Sequence, residues 1–328
     1  MMTELEQIFP FEEGKFQVYF NSDCLYHETY EDHPESPQRL RNILKGCEQS
    51  LNHDLPLSFS CPEPMKLSDM TEVHDEGYLL ALESCIHSGK SSFMSADNYI
   101  CRDSLDAIRA TAGMSRELAS SLSMGGAGFA LTRPPGHHAG KAKAEGFCFV
   151  NNVAIAVNEI RRRDEIAKVL IVDFDVHHGN GIYSIFREDS GVYYYSVHGA
   201  PEHIYPYTGY QTEVGHGEGH GFTKNITLPE GTSGDEWLKV FRAGLTEISR
   251  TFKADYILVS AGFDAHEQDP FSFMQVKDEH YLKACLELQD LAKQQCAGKI
   301  GFFLEGGYSL EVMERLVPRC IEALSLNR

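Results

Sequence analysis

Apolar residues along this chain fall into two rhythms. Short continuous runs, such as VLIV at 169–172, YILV at 256–259 and IGFFL at 300–304, have the length of strands buried on both faces. Between them lie longer segments in which apolar positions recur every three or four residues, the spacing of one helix face. Read in order, the pattern predicts a strand over 16–20, a polar loop over 21–38 and a helix over 39–47. A connection bearing Pro, Ser and His covers 52–67, and a helix over 71–87 presents Tyr78, Leu79, Leu82 and Ile86 on one face. A loop over 89–100 and a long Ala-rich helix over 104–122 follow.

From there the alternation is regular. Strands are expected over 128–131, 168–176, 191–197, 225–228, 255–260 and 299–304, and helices over 153–162, 182–186, 235–251, 278–295 and 310–324. Asn151 or Asn152 can cap the first of these helices. Residues 198–222 read as an irregular loop rich in Gly and His. Strands alternating with helices imply an α/β protein with a largely parallel sheet covered on both faces. With no internal repeat, linker or low-complexity stretch, the expectation is one domain over 1–328.

In such sheets ligands bind beyond the carboxyl ends of the strands. Four strand ends carry chemistry there: RPPGHHAG with His137 and His138, DFDVHHGNG at 173–181, SAGFDAH with Asp264, and LEGGY ending in Tyr308. Residues two apart on a strand face the same way, so Asp173, Asp175 and His177 are expected on one side, with Phe174 and Val176 on the other. Asp175, His177 and Asp264 supply two carboxylates and an imidazole, a ligand set for a divalent ion with positions left for water and a carbonyl oxygen. The His pair is suited to proton transfer near neutral pH. Asp173 is available to orient one histidine and Asn180 the other, and a tyrosine hydroxyl can donate to an oxyanion. Together these parts describe metal-assisted amide or ester hydrolysis. Each has a plainer reading: a His pair is often structural, a GGY turn is often only a turn, and His203, His216 and His220 in the Gly-rich loop are expected to be solvated. Asp103 and Asp106 are read as helix-surface charges.

Composition narrows the partners. The net charge of −19 argues against nucleic acid, which needs a basic face, and suits a cationic ligand such as a polyamine or a lysine-rich peptide. The nine cysteines contain no CxxC pair, which fits reduced core residues. Apolar runs stay far below membrane-spanning length, so no membrane partner is expected. The stretch MMTELEQIFPFEEGKF is acidic, without the basic-then-apolar pattern of a signal peptide, and an intracellular, cytoplasmic location is expected.

RPPGHHA, DFDVHHGNG, GFDAH and LEGGY, in this order and preceded by HPESPQRL at 33–40, resemble the zinc-dependent histone deacetylase superfamily, which includes the acetylpolyamine amidohydrolases. The resemblance implies the arginase/deacetylase fold, a single α/β domain with a central eight-stranded parallel sheet and helices on both faces. It implies Zn2+, with Fe2+ as an alternative, on Asp175, His177 and Asp264. His137 and His138 match the catalytic pair, His138 as general base and acid and His137 as electrostatic partner. Asp173 matches the carboxylate paired with His137, and Tyr308 the oxyanion donor. Gly146 and Phe147 match one wall of the acyl channel and Tyr205 the facing aromatic. Gly306 and Phe271 fall with the substrate-binding positions, Asp97 where some members receive the substrate amide, and Arg39 at the inner acetate-release cavity. A structural K+ is implied at Asp173, Asp175, His177, Ser196 and Val197, and a second monovalent site at Phe186, Asp189, Val192 and Phe222.

Departures from the family pattern bear on the substrate. Asn180 replaces the aspartate that class I members place beside the second histidine, and LEGGY replaces their all-glycine turn. Both look like class II deacetylases and the bacterial polyamine enzymes. The 198–222 loop is similar to that of acetylpolyamine amidohydrolases, yet Phe271 stands where the polyamine-specific eukaryotic member has an acidic gatekeeper. The expectation is a deacetylase of N-acetyl-lysine in proteins or peptides, with acetylpolyamine hydrolysis as the alternative. A catalytically silent acyl-lysine binding module is a reading of another class, and a dinuclear manganese hydrolase of the ureohydrolase type shares the fold class. A dimer is compatible with the sequence, which does not fix the oligomeric state.

Overall fold

The computed structural model describes residues 4–52 and 54–327. In chain order the strands are β1 (Phe16–Tyr19), β2 (Leu57–Ser60), β3 (Ser92–Phe93), β4 (Ser95–Tyr99), β5 (Ala127–Ala130), β6 (Val169–Asp173), β7 (Val192–Gly199), β8 (Thr223–Leu228), β9 (Thr232–Ser233), β10 (Tyr256–Ala261), β11 (Met274–Gln275) and β12 (Ile300–Leu304). The helices are α1 (Glu4–Ile8), α2 (Gln38–Ser50), α3 (Glu76–His87), α4 (Ser104–Ser123), α5 (Asn152–Arg163), α6 (Asn180–Phe186), α7 (Gly234–Thr251), α8 (Asp278–Cys296) and α9 (Leu310–Leu326).

Eight strands form one parallel sheet in the order β2-β1-β5-β12-β10-β6-β7-β8. Its central strands β5, β12, β10 and β6 are buried at every residue, which is why their sequences are continuous apolar runs rather than alternating ones. Helices α4 and α5 pack together over one face, while α2, α7, α8 and α9 cover the other. The fold class is the one the sequence implied. No helix among the described residues is long and apolar enough to cross a membrane.

Five expectations are corrected. The stretch 52–67 contains strand β2, which pairs with β1 at the edge of the sheet; four residues flanked by Pro56 and Pro62 give too short a run to stand out from a loop. The 89–100 loop holds the antiparallel pair β3–β4. Helix α3 starts at Glu76 instead of 71, because the Asp75 side chain caps it by accepting from Tyr78 N. The 168–176 strand stops at Asp173, so β6 does not carry Asp175 and His177. His198 and Gly199, taken as the start of a loop, close β7.

Parallel strands put all their carboxyl ends on one edge of the sheet. The four motifs leave β5, β12, β10 and β6, which are consecutive neighbours. Segments spread from Arg133 to Tyr308 are thereby stacked side by side.

Candidate active site

Beyond Asp173 the chain bends, and carboxylates hold the bend. Asp173 Oδ1 accepts from Asp175 N at 3.2 Å, and Asp175 Oδ1 from His177 N at 2.9 Å. Asp175 and His177 therefore converge through two turn-type hydrogen bonds, not through strand alternation. Asp264, delivered by the loop after β10, accepts from Val176 N at 2.8 Å through Oδ1. That leaves Oδ2 facing His177, whose Nδ1 lies 3.1 Å from Asp264 Oδ2 and 3.1 Å from Asp175 Oδ1.

These three atoms fit a cation. The ligand atoms of Asp175, His177 and Asp264 all lie within 4.8 Å of one another, and both carboxylates are fully buried. A tetrahedral ion with bonds of about 2.0–2.2 Å has ligand–ligand edges of about 3.3–3.6 Å, close to the spacing seen. Two buried carboxylates also require a compensating charge. In the bare triad, protons supply it: burial alone would lower His177, but its bonds to Asp175 and Asp264 raise it to about 10. Burial and the neighbouring Asp175 push Asp264 up to about 7, while the His137 and His177 charges overcome burial to hold Asp175 low. Gly306 sits behind the triad and donates to Asp175 Oδ2 at 2.8 Å; a Cβ there would come within 2.2 Å of Asp264 Oδ2. The residue thus supports the triad and does not line the pocket.

The two histidines of RPPGHHAG stand beside it, both nearly inaccessible. His137 Nδ1 donates to Asp173 Oδ2 at 3.2 Å, and that oxygen also accepts from the Tyr194 hydroxyl at 3.0 Å. Against burial, the charges of Asp175, Asp173 and Glu305 raise His137 to about 10, so it is a cation. His138 Nδ1 donates to Asn180 Oδ1 at 2.7 Å. Burial first, and then the charges of His137 and His177, hold His138 well below its ordinary value, so it is neutral with Nε2 unprotonated.

A cavity of about 160 Å³ opens above these groups, lined by Asp97, His138, Gly146, Phe147, His177, Tyr205, Phe271 and Tyr308. Gly146 has φ +57°, and a Cβ on it would meet His138 Cδ2 at 2.3 Å, so only glycine lets the wall close on the imidazole. Tyr205 stands edge-on to His138 at 5.1 Å, and Phe147 and Phe271 stand edge-on to Tyr308 at 6.1 and 5.2 Å. Burial holds the Tyr308 phenol well above its ordinary value, so it keeps its proton and can donate. Asp97, on β4, is exposed at the mouth.

Arg39 lies directly behind Tyr308, its guanidinium 5.0 Å from the ring centre. It is completely buried and donates to Gly307 O at 2.6 Å, to Glu305 O and to Glu35 Oε1 at 3.0 Å. Ser196 and Val197 lie on β7, where Ser196 is the register partner of Asp173. The Asp189 carboxylate is gripped by both terminal nitrogens of Arg161, at 2.5 and 3.1 Å. His203, His216 and His220 are exposed, and so are Asp103 and Asp106.

Several supporting residues had not been singled out from the sequence. Glu305 of LEGGY is fully buried, and its Oε2 accepts from Gly136 N at 2.7 Å and His137 N at 3.1 Å, tying the His-His turn to β12. Burial pushes its carboxyl up to about 7 despite the His137 charge. Asp269 Oδ2 accepts from Tyr308 N at 2.6 Å and Ser309 N at 3.0 Å, while its Oδ1 accepts from Phe271 N at 3.0 Å. Asn98 Oδ1 accepts from Phe147 N at 2.9 Å, and the His33 ring stands edge-on to Phe147 at 4.9 Å. Glu145 accepts from Asn180 Nδ2. Of Glu305, Asp269, Asn98 and Glu145, none lies in a motif with a ligand-type spacing, and only Glu305 had a cue, as the charged residue inside a glycine turn.

Comparison with known proteins places the chain beside histone deacetylases. The profile of the histone deacetylase domain matches residues 33–324. Histone deacetylase 14, chloroplastic, of Arabidopsis thaliana is 34% identical over 327 residues, covering 94% of this chain and 76% of the relative. A probable deacetylase of Archaeoglobus fulgidus is 34% identical over 297 residues, covering 90% and 81%. Among solved structures, the HDA15 HD domain superposes with a TM-score of 0.89 at 33% identity, over 95% of this chain and 88% of that one.

Proposed function

The chain belongs to the histone deacetylase family, and on that premise we propose that it is a metal-dependent deacetylase that hydrolyses the acetyl amide of N-acetyl-lysine in proteins or peptides. The observation that carries the reading is one cavity of about 160 Å³ lined by a neutral His138, a protonated Tyr308 and His177, with the buried Asp175 and Asp264 completing the triad behind His177. Asp175, His177 and Asp264 would hold the divalent ion, Zn2+ with Fe2+ as an alternative. When bound, it supplies Lewis-acid polarisation of the acyl carbonyl and lowers the pKa of a water.

The chain's own groups do the rest. Gly146, Phe147 and Tyr205 exclude water from around the acyl group and align it. His138 Nε2 takes the proton of the attacking water, a role open to it because Nδ1 is engaged by Asn180. His137, held charged by Asp175 and Asp173, stabilises the negative charge that develops nearby. The Tyr308 hydroxyl donates to the carbonyl oxygen as it becomes an oxyanion. The proton on His138 then passes to the leaving amine, and lysine departs. Arg39 supports Tyr308 from behind and borders the route we assign to acetate. A structural K+ is assigned to Asp173, Asp175, His177, Ser196 and Val197.

Acetylpolyamine is the second reading, favoured by the exposed Asp97 at the cavity mouth and the net charge of −19. Steady-state turnover of an acetyl-lysine peptide, N-acetylputrescine and N-acetylcadaverine by one Zn2+-loaded preparation tests both. The peptide is expected to have the highest kcat/KM. Faster turnover of the amines reverses the substrate assignment, and no turnover of any acyl-amine overturns the function. The Tyr308→Phe variant is expected to lose about 10²–10³ in kcat, the worth of one oxyanion donor.

A further inference from the structure

We propose that Glu145 is a positioning residue for the His138–Asn180 pair: its carboxylate decides which end of the Asn180 amide faces His138 and so selects the tautomer with Nε2 free to accept a proton. This rests on the reading of His138 as the group that takes the proton from water.

An asparagine is an ambiguous partner for an imidazole. Its side chain accepts at one end and donates at the other, and the two ends have nearly the same shape, whereas an aspartate accepts at both. With Oδ1 toward His138, Nδ1 carries the hydrogen and Nε2 keeps its lone pair. With the amide turned over, Nδ2 donates to a bare Nδ1 and the hydrogen sits on Nε2, where it blocks proton uptake. The pair alone does not choose between these states; the network beyond it does.

That network ends on Glu145. Asn180 Nδ2 donates to Glu145 Oε1, and a carboxylate has no hydrogen to return. Turning the amide over would set Oδ1 against Oε1, acceptor against acceptor. Glu145 is itself held. Its Oε2 pairs with Lys143, its carbonyl accepts from Cys148 N at 3.0 Å, and the Gly140–Lys143 and Glu145–Cys148 bridges shape the turn that delivers it. The carboxylate is not part of the acyl cavity. It lines a second one, of about 400 Å³, together with His138, Asn180, Ser184 and Thr208. Water entering there could replace Glu145, but water both donates and accepts and so imposes no choice.

The test combines steady-state kinetics of the metal-loaded protein with ¹⁵N-histidine NMR, which reports the tautomer of His138. Glu145→Ala is expected to lower kcat about tenfold, part of the 10²–10⁴ that a general base supplies, with KM within about twofold. The His138 signals should move from the Nδ1–H form toward a mixture. Glu145→Gln, which can accept or donate, should lose less. In Asn180→Asp the partner of His138 accepts at both ends but faces the Glu145 carboxylate, so adding Glu145→Gln should raise kcat. A packing role for Glu145 would lower activity in both backgrounds. Unchanged kcat and tautomer in Glu145→Ala, or equal losses from Glu145→Gln with Asn180 and with Asp at that position, overturns the proposal. If the wild type turns over no acyl-amine, the deacetylase reading fails, while the tautomer measurement still decides what Glu145 does.

Discussion

His137 and His138 are consecutive residues whose ring centres lie 4.0 Å apart, yet one donates to a carboxylate and the other to an amide. The partners divide the labour. The charges of Asp175 and of Asp173, the latter 3.2 Å away, make His137 a lasting cation, and that cation helps keep His138 neutral. Two equivalent carboxylate partners would blur the distinction.

It follows that His138→Ala should lower kcat by about 10²–10⁴ while changing KM little. Added imidazole, small enough for the vacated space, should restore part of the rate. Circular dichroism and melting temperature check that the fold is intact. A loss confined to KM would remove His138 from the chemistry.

Metal uptake should release protons. The bare triad holds one proton on His177 up to about pH 10 and one on Asp264 up to about pH 7. A divalent ion must displace them, so apparent affinity rises with pH, more steeply below about 7, where both are present. Calorimetric titration in buffers of different ionisation heat counts them, with about two expected at pH 6 and about one at pH 8. Chelation should abolish activity and lower the melting temperature, and Zn2+ should restore both.

Phe271 stands at the cavity mouth, 44% exposed and edge-on to Tyr308. Phe271→Glu places a carboxylate where the distal amine of a polyamine would lie. The ratio of kcat/KM for N-acetylputrescine to that for the acetyl-lysine peptide should rise about tenfold, equivalent to about 1.4 kcal/mol. An unchanged ratio would show that this position does not sense the distal charge.

A buried charge cluster behind Tyr308 sets the acid limit of stability. Glu35 Oε1 accepts from Arg133 at 2.8 Å and from Arg39 at 3.0 Å, with all three side chains inaccessible. Burial would raise Glu35, but the two guanidinium groups bring it down to about 2. Its contribution is full above the unfolded value of 4.5 and disappears as pH falls from there toward about 2. His74 and His27, buried neutral at about 4 and about 3, add a loss that begins below 6.5, where the unfolded chain takes up protons first. Denaturant midpoints between pH 2 and 7 should fall in these two stages. Glu35→Gln should cost about 3–5 kcal/mol at pH 7 and flatten the lower stage.

The sheet and the active-site motifs were legible in the sequence because they are local. β6, β10 and β12 are continuous apolar runs, and each ends in its chemistry within a few residues. Strand β2 was not, since Leu57–Ser60 is a four-residue edge strand among loop-like neighbours. Asp175 and His177 were placed on the same side for the wrong reason: side-chain-to-backbone bonds within a bend bring them together, and strand-period arithmetic does not describe a bend. Glu145 and Asp269 were missed because nothing in their local sequence distinguishes a supporting carboxylate from a solvated one. Their roles depend on which distant backbone or amide groups they meet.

Strand β12 sits between β5 and β10, joining the half of the sheet built from β2, β1 and β5 to the half built from β10, β6, β7 and β8. The strand of this sheet that comes last in the chain is thus the one that unites the others. Until residues 300–308 emerge, the His-His turn lacks the Glu305 that ties it to β12, Asp175 lacks the Gly306 amide, and the cleft lacks Tyr308. A polypeptide lacking these residues would leave the facing edges of β5 and β10 without the strand that pairs with both, the kind of open edge that invites association during synthesis.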